Sequence, residues 1–257
     1  MIKHLLLFSI LIMALKTTAQ LKPVPYTDGS QKLNGFAAIP QKPTKDNPGI
    51  LILPAWKGIS SHSKEIADKL SKMGYYTFIA DIYGEGNYPK DTKEAGAQSG
   101  YYKKNYKEYQ KRISIALQEL IKAGANKDKI VIIGYCFGGT GALEAARAEL
   151  DVQGVVSFHG GLGKSPERSN NAITTKVLVL HGVEDPHVSK KDIESFEKEM
   201  RDGNADWQMI YYSNAVHAFT EKEAGNDPAK GAAYNEKADK RSWQHFLLFL
   251  KDTGLNQ

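Results

Sequence analysis

Apolar residues fall along this chain in short continuous runs, and between the runs they recur at helical spacing. Gly49–Leu53, Tyr75–Ala80, Lys129–Ile133, Gly154–Phe158, Lys176–Leu180 and Trp207–Tyr212 each read as a strand. Gly49–Leu53, short and continuously apolar, is what a strand covered on both faces should look like. Between them, Ile66, Leu70 and Met73 repeat at i, i+4 and i+7 and stop at Gly74, as one face of an amphipathic helix does. Ile113, Leu117, Leu120 and Ile121 mark another helix, closed at Gly124. Residues 137–149 and 189–202 read as two more, and Trp243, Phe246, Leu247 and Leu250 give the inward face of a C-terminal one. The polar stretch 83–99 has no period and is expected to be a long loop. The Pro-, Lys- and Asn-rich segment 20–48 is expected to hold a hairpin around Gly35–Ile39.

Strands alternating with helices predict an α/β architecture, a mostly parallel central sheet with helices on both faces. The chain has 257 residues, 41% of them hydrophobic and 25% charged, with no repeat and no linker. Residues 20–257 therefore read as a single domain large enough to bury a substantial core.

The start of the chain changes the picture of where the protein works. Lys3 and His4 precede an apolar run from Leu5 to Leu15, followed by Lys16-Thr17-Thr18-Ala19. A basic start, a short apolar stretch and small residues before a cut are the pattern of a secretory signal peptide. The expectation is a signal peptide over 1–19, cleaved after Ala19, and an exported protein, periplasmic or extracellular. The run is well short of the roughly 20 residues a spanning helix needs. No later segment is apolar enough to cross a bilayer, so no membrane association is expected after cleavage. The net charge of +5 would fall to +3 without Lys3 and Lys16, and no long basic run supports a nucleic-acid partner.

Candidate chemistry centres on Cys136, the one cysteine. A single thiol in an exported chain has no internal disulfide partner. Gly134-Tyr135-Cys136-Phe137-Gly138-Gly139 lies between a strand and a helix, in the G-x-nucleophile-x-G pattern with Cys where Ser is usual. The turn is so tight that side chains two before and two after the nucleophile would clash. It also sets Cys136 at a helix N-terminus, where free N–H groups favour negative charge. A glycine-rich turn around an inert buried thiol, or a phosphate loop, is the plainer alternative; neither G-x-G-x-x-G nor the Walker lysine is present.

The chain order nucleophile, acid, histidine is completed downstream. His181-Gly182-Val183-Glu184-Asp185-Pro186-His187-Val188 follows a strand and offers Asp185, with Glu184 one residue away as the alternative. Ser213-Asn214-Ala215-Val216-His217-Ala218-Phe219 follows the next strand and supplies His217 as base. His159 ends a strand and is read as structural packing there, with lining the pocket as the alternative; His181 is read as supporting its turn, and His187 as near the cleft. His62 and His245 look like ordinary helix residues. No combination has metal-ligand spacing, so neither a metal nor another cofactor is expected.

These motifs make the chain resemble the dienelactone hydrolase family (carboxymethylenebutenolidases), from about Gly49 to Leu250 and most strongly at Gly134–Gly139, Leu178–Asp185 and His217-Ala218-Phe219. The resemblance implies an α/β-hydrolase fold and a carboxylic ester hydrolase acting on a small ester or lactone. It implies Cys136 as nucleophile, Asp185 as acid, His217 as base, and the backbone N–H groups of Phe137 and Trp56 as oxyanion hole. Tyr83, Glu85, His159 and Phe219 are the candidates for substrate contact. Three positions depart from the family pattern. Ala55 stands where the best-known members carry a glutamate that helps control the thiol, and Glu85 and Glu221 stand near the places of substrate-binding arginines. A neutral or cationic substrate is therefore expected rather than the dienelactone itself. A peptidase or acyltransferase on the same triad, or a non-catalytic binding protein of this fold, are the competing readings.

Overall fold

A computed structural model describes residues 21–255. The expected leader over 1–19 lies outside the described residues. Eight strands form one sheet: β1 (Lys22–Asp28), β2 (Gln31–Ala38), β3 (Gly49–Leu53), β4 (Tyr76–Ile79), β5 (Ile130–Tyr135), β6 (Gly154–Phe158), β7 (Lys176–Gly182) and β8 (Trp207–Tyr212). Their order across the sheet is β1-β2-β4-β3-β5-β6-β7-β8, antiparallel at β1/β2 and β2/β4 and parallel from β4 onward.

Alternate residues of each central strand feed two separate cores, which is why the runs are apolar throughout. Leu51, Leu53, Ile130 and Ile132 face one side, the side that α3 (Tyr106–Lys122), α4 (Phe137–Arg147) and α5 (Lys190–Asp202) cover. Ile50, Ile52, Val131 and Ile133 face the other, under α1 (Ser61–Lys72) and α6 (Glu236–Asp252). This is the mostly parallel sheet with helices on both faces that the alternation of strands and helices predicts, and the α/β-hydrolase fold that the resemblance implies. Among the described residues no helix is long and apolar enough to cross a membrane.

Two local expectations are corrected. The first hairpin turns at Gly29-Ser30, not around Gly35–Ile39. Gly29, at φ +58°, supplies the left-handed backbone a tight hairpin turn needs. Gly35 instead lies inside β2, where a Cβ would come within 2.4 Å of the Phe78 ring. The stretch read as a loop over 83–99 is helical from its second half onward, in α2 (Thr92–Lys104). Asp91 caps that helix by accepting from the Glu94 N–H at 2.8 Å. Its buried face is Ala95, Ser99 and Tyr102, so the helical spacing is there but is carried by small or polar residues.

The strand order reverses direction between β3 and β5: the chain leaves β3 toward β4 and crosses back over it to β5. Loops following strands on either side of such a point diverge and leave a crevice at the carboxyl edge of the sheet.

Candidate active site

The elbow between β5 and α4 is built by glycines at a place where nothing larger fits. A Cβ at Gly134 would lie 1.9 Å from the Gly138 carbonyl oxygen, and one at Gly138 would lie 2.1 Å from the Leu53 carbonyl oxygen. Between them Cys136 adopts φ 54° and ψ −112°. A non-glycine residue held there stores on the order of 1–3 kcal/mol, which the flanking strand and helix must hold in place. The half-buried side chain projects into the crevice.

Two loops bring partners to it. His217 follows β8, and its Nε2 lies 3.0 Å from Cys136 Sγ. Its Nδ1 lies 2.8 Å from Asp185 Oδ2 in the loop after β7. The other carboxylate oxygen, Asp185 Oδ1, accepts the backbone N–H of His187 at 2.9 Å. Glu184 is exposed, so of the two acids only Asp185 meets the imidazole. The His217 loop is pinned at its stem: the His217 N–H donates to the Gly231 carbonyl and the Ala233 N–H to the His217 carbonyl.

Electrostatics follow from these contacts. Burial opposes a charge on His217, but the Asp185 carboxylate and the Cys136 sulfur outweigh it and lift its pKa to about 10. Burial also works against an ionised Asp185, yet the hydrogen bond and charge of His217 hold it below the usual carboxylate range. At neutral pH the imidazole thus carries a proton on both nitrogens, one toward the carboxylate and one toward the sulfur.

Cys136 and His217 open into a cavity of about 470 Å³, walled by Trp56, Lys57, Phe137 and Glu221 among others. Phe137 opens α4, so its N–H has no partner inside the helix. The Pro54–Gly58 turn carrying Trp56 is closed by the Gly58 N–H on the Ala55 carbonyl at 2.9 Å. Both residues expected to form an oxyanion hole therefore border the same cavity as the sulfur. Ala55 borders it too, so no carboxylate from that position reaches the thiol.

The four residues expected to touch substrate fare differently. Tyr83 is buried behind the cavity, donating its hydroxyl to the Trp56 carbonyl at 2.7 Å and stacking on the Phe137 ring. Phe219 is fully buried between His159 and Tyr212. His159 is fully buried beneath the elbow, not in the cavity wall. Glu85 faces β2 and solvent, its N–H donating to the Lys32 carbonyl and its carboxylate accepting from the Asn34 amide. None of the four lines the cavity, because a residue after a strand end can turn under the elbow or toward the sheet edge as well as into the crevice.

Glu221 does border the cavity, and burial pushes its pKa above the ordinary carboxylate value. Sequence reasoning missed Lys57 and Lys103, which border it as well, so the wall carries two cations along with Glu221 and Glu223. Lys57 adjoins the Trp56 turn, which was a signal in plain view; Lys103 was hidden by the missed helix α2. His187 borders the cavity, its ring edge-on to His217 with centroids 5.0 Å apart.

Known proteins resemble this chain in sequence and in fold. A model of the dienelactone hydrolase family matches residues 33–254. A Bradyrhizobium protein named as a probable 2-oxo-3-(5-oxofuran-2-ylidene)propanoate lactonase is 26% identical, covering 79% of this chain and 83% of its own. An uncharacterised Caenorhabditis elegans protein is 37% identical over 49% of this chain and 82% of its own. Among solved structures, a dienelactone hydrolase-like promiscuous phosphotriesterase from metagenomic libraries superposes with a TM-score of 0.84 at 31% identity, covering 91% of this chain and 98% of that one. The chain belongs to the dienelactone hydrolase family and is a carboxylic ester hydrolase.

Proposed function

We propose that the enzyme hydrolyses a small ester or lactone through a covalent thioester on Cys136, with His217 as proton carrier and Asp185 holding the imidazole. The observation that carries this is the unbroken line Asp185 Oδ2–His217–Cys136 Sγ, 2.8 Å and 3.0 Å long, ending in the cavity. The thiolate of the sulfur–imidazolium pair attacks the carbonyl carbon, and the oxygen that becomes negative is met by the N–H groups of Phe137 and Trp56. Losing one such donor typically costs about 10²–10³ in rate. As the tetrahedral adduct collapses, the departing alkoxide takes the Nε2 proton and leaves as an alcohol. Water then gives a proton to Nε2 and its oxygen to the thioester carbonyl, and the sulfur leaves as thiolate beside a recharged imidazolium. Ala55 supplies no carboxylate near the thiol, so activation rests on His217 alone.

A neutral substrate fits the cavity best. Glu221 and Glu223 disfavour a carboxylate, and Lys57 and Lys103 disfavour the cationic ester that was the other half of the expectation. An uncharged phosphotriester is a second reading, favoured by the 31% identical relative described as a promiscuous phosphotriesterase. The test is turnover of neutral, anionic and cationic p-nitrophenyl esters and of a neutral p-nitrophenyl phosphotriester by the wild type and Cys136→Ala. Neutral-ester turnover that vanishes in Cys136→Ala supports the reading; turnover that persists in it refutes the thiol mechanism. We propose further that residues 1–19 are a cleaved leader and that the enzyme acts outside the cytoplasm, with Gln20 as its first residue.

A further inference from the structure

His159 lies outside the line of Asp185, His217 and Cys136, and its bonds are not those of a packed core residue. It follows β6 in the left-handed region, at φ 40°, and is fully buried. Its Nδ1 accepts the backbone N–H of Cys136 at 3.2 Å, a proton shared with the Phe158 carbonyl at 3.0 Å. An Nδ1 that accepts is bare, so the single ring proton of the neutral form sits on Nε2 and is donated to Thr220 Oγ1 at 2.9 Å. Thr220 belongs to the loop that carries His217. The His159 ring also lies edge-on to His217, with centroids 5.4 Å apart, and against Phe219 at 5.1 Å. Burial first, and then the nearby charge of His217, keep His159 neutral, the only form that can serve both bonds.

We infer that His159 is a positioning residue, a neutral bridge that holds the nucleophile elbow and the histidine loop at a fixed separation. The two halves of the catalytic pair come from different loops, one after β5 and one after β8, and β6 and β7 lie between those strands in the sheet. Of the side-chain bonds described at Cys136, only His159 reaches its backbone, and the same ring reaches the His217 loop. A slip at either contact would lengthen the Sγ–Nε2 distance that proton transfer depends on, and displacements near 1 Å can cost about 10²-fold in rate.

This inference rests on Cys136 being the nucleophile, so Cys136→Ala is run beside every variant. Thr220→Val removes the acceptor at constant shape, and Thr220→Ser restores it. The expected result is a kcat lowered roughly tenfold in Thr220→Val with KM little changed, a matching slowing of Cys136 alkylation by iodoacetamide, and recovery in Thr220→Ser. His159→Asn, whose amide oxygen can still accept from the Cys136 N–H but cannot reach Thr220, should show the same loss and covers the case of a Thr220→Val that does not fold. Nitrogen-15 spectra of the wild type should show His159 with a bare Nδ1 and a protonated Nε2. A kcat and an alkylation rate unchanged in Thr220→Val, equal losses in Thr220→Ser and Thr220→Val, or a protonated Nδ1 would each overturn the bridge. Full activity of Cys136→Ala would instead overturn the nucleophile on which it depends.

Discussion

Replacing Asp185 with Asn tests the electrostatic core of the mechanism with almost no change of shape. The two carboxylate oxygens have different jobs: Oδ1 accepts the His187 N–H at 2.9 Å, and Oδ2 meets His217 Nδ1 at 2.8 Å. In the variant the amide oxygen must stay with the His187 N–H, which sets the amide nitrogen, a donor, against Nδ1. The imidazole is then driven to the tautomer with a bare Nδ1 and its one proton on Nε2, and it has no carboxylate to stabilise a second proton. The rise in the His217 pKa from 6.5 to about 10 corresponds to on the order of 5 kcal/mol, at about 1.4 kcal/mol per unit. If Asp185 supplies about half of that and the sulfur the rest, its loss costs ~2–3 kcal/mol, or roughly 30- to 150-fold in kcat/KM, before any tautomer penalty. The assay is p-nitrophenyl acetate hydrolysis at pH 7, with iodoacetamide alkylation of Cys136 followed in parallel. Glu184→Gln, at an exposed position, serves as the control and should match the wild type. An Asp185→Asn enzyme within threefold of the wild type, or a Glu184→Gln enzyme as impaired as it, would refute the reasoning.

Mild peroxide should abolish turnover by converting the Cys136 thiolate to a sulfenic acid, and a thiol reductant should restore it; esterase activity indifferent to peroxide counts against the thiol. Gly138→Ala should leave little folded protein, because its Cβ would meet the Leu53 carbonyl at 2.1 Å, a backbone clash in the class that costs more than about 4 kcal/mol. Gly100→Ala, in the interior of α2 with nothing within 4 Å of the added Cβ, should raise stability by about 0.5–1 kcal/mol in urea titrations; a loss there would mean that α2 is not helical at that point. His217 is raised from 6.5 to about 10, so the stability it confers is full below about 6.5 and is lost as pH rises through about 10. Asp185 is lowered from 3.8, so its share is present above that value and is lost only under stronger acid. The melting-temperature difference between the wild type and His217→Gln should therefore close as pH climbs past 10, and a gap that widens there would contradict the assigned charges.

The central sheet was legible because five of its eight strands, β3 to β7, bury both faces or nearly so, and each appears as an apolar run. The elbow was legible because Gly134 and Gly138 leave no room for substitutes, so the motif is a direct image of a contact between β5, α4 and the end of β3. Asp185 and His217 were legible from chain order. Helix α2 was not, because Ala95, Ser99 and Tyr102 face the core without an apolar stripe. Nor was the cavity wall: its charges come from the turn after β3, from α2 and from the segment after His217, and their convergence depends on three loops that no local pattern relates. His159 shows the same limit from the other side. Its position at a strand end was plain, but whether its ring would point into the crevice or beneath the elbow depended on a left-handed backbone that its own sequence does not announce.

The stem that closes on His217 has an evolutionary meaning. Residues 218–230 leave the chain at His217 and return beside it at Gly231 and Ala233, where the backbone pairs again. Glu221, Glu223 and Ala224 line the cavity from within that excursion, while the imidazole stays at its root. Such a closed detour behaves as an interchangeable cartridge: its tip can be lengthened, shortened or recharged while the proton carrier keeps its seat. New substrate ranges can therefore arise on this scaffold by exchanging the residues beyond Thr220, which stays bonded to His159, without re-evolving the chemistry.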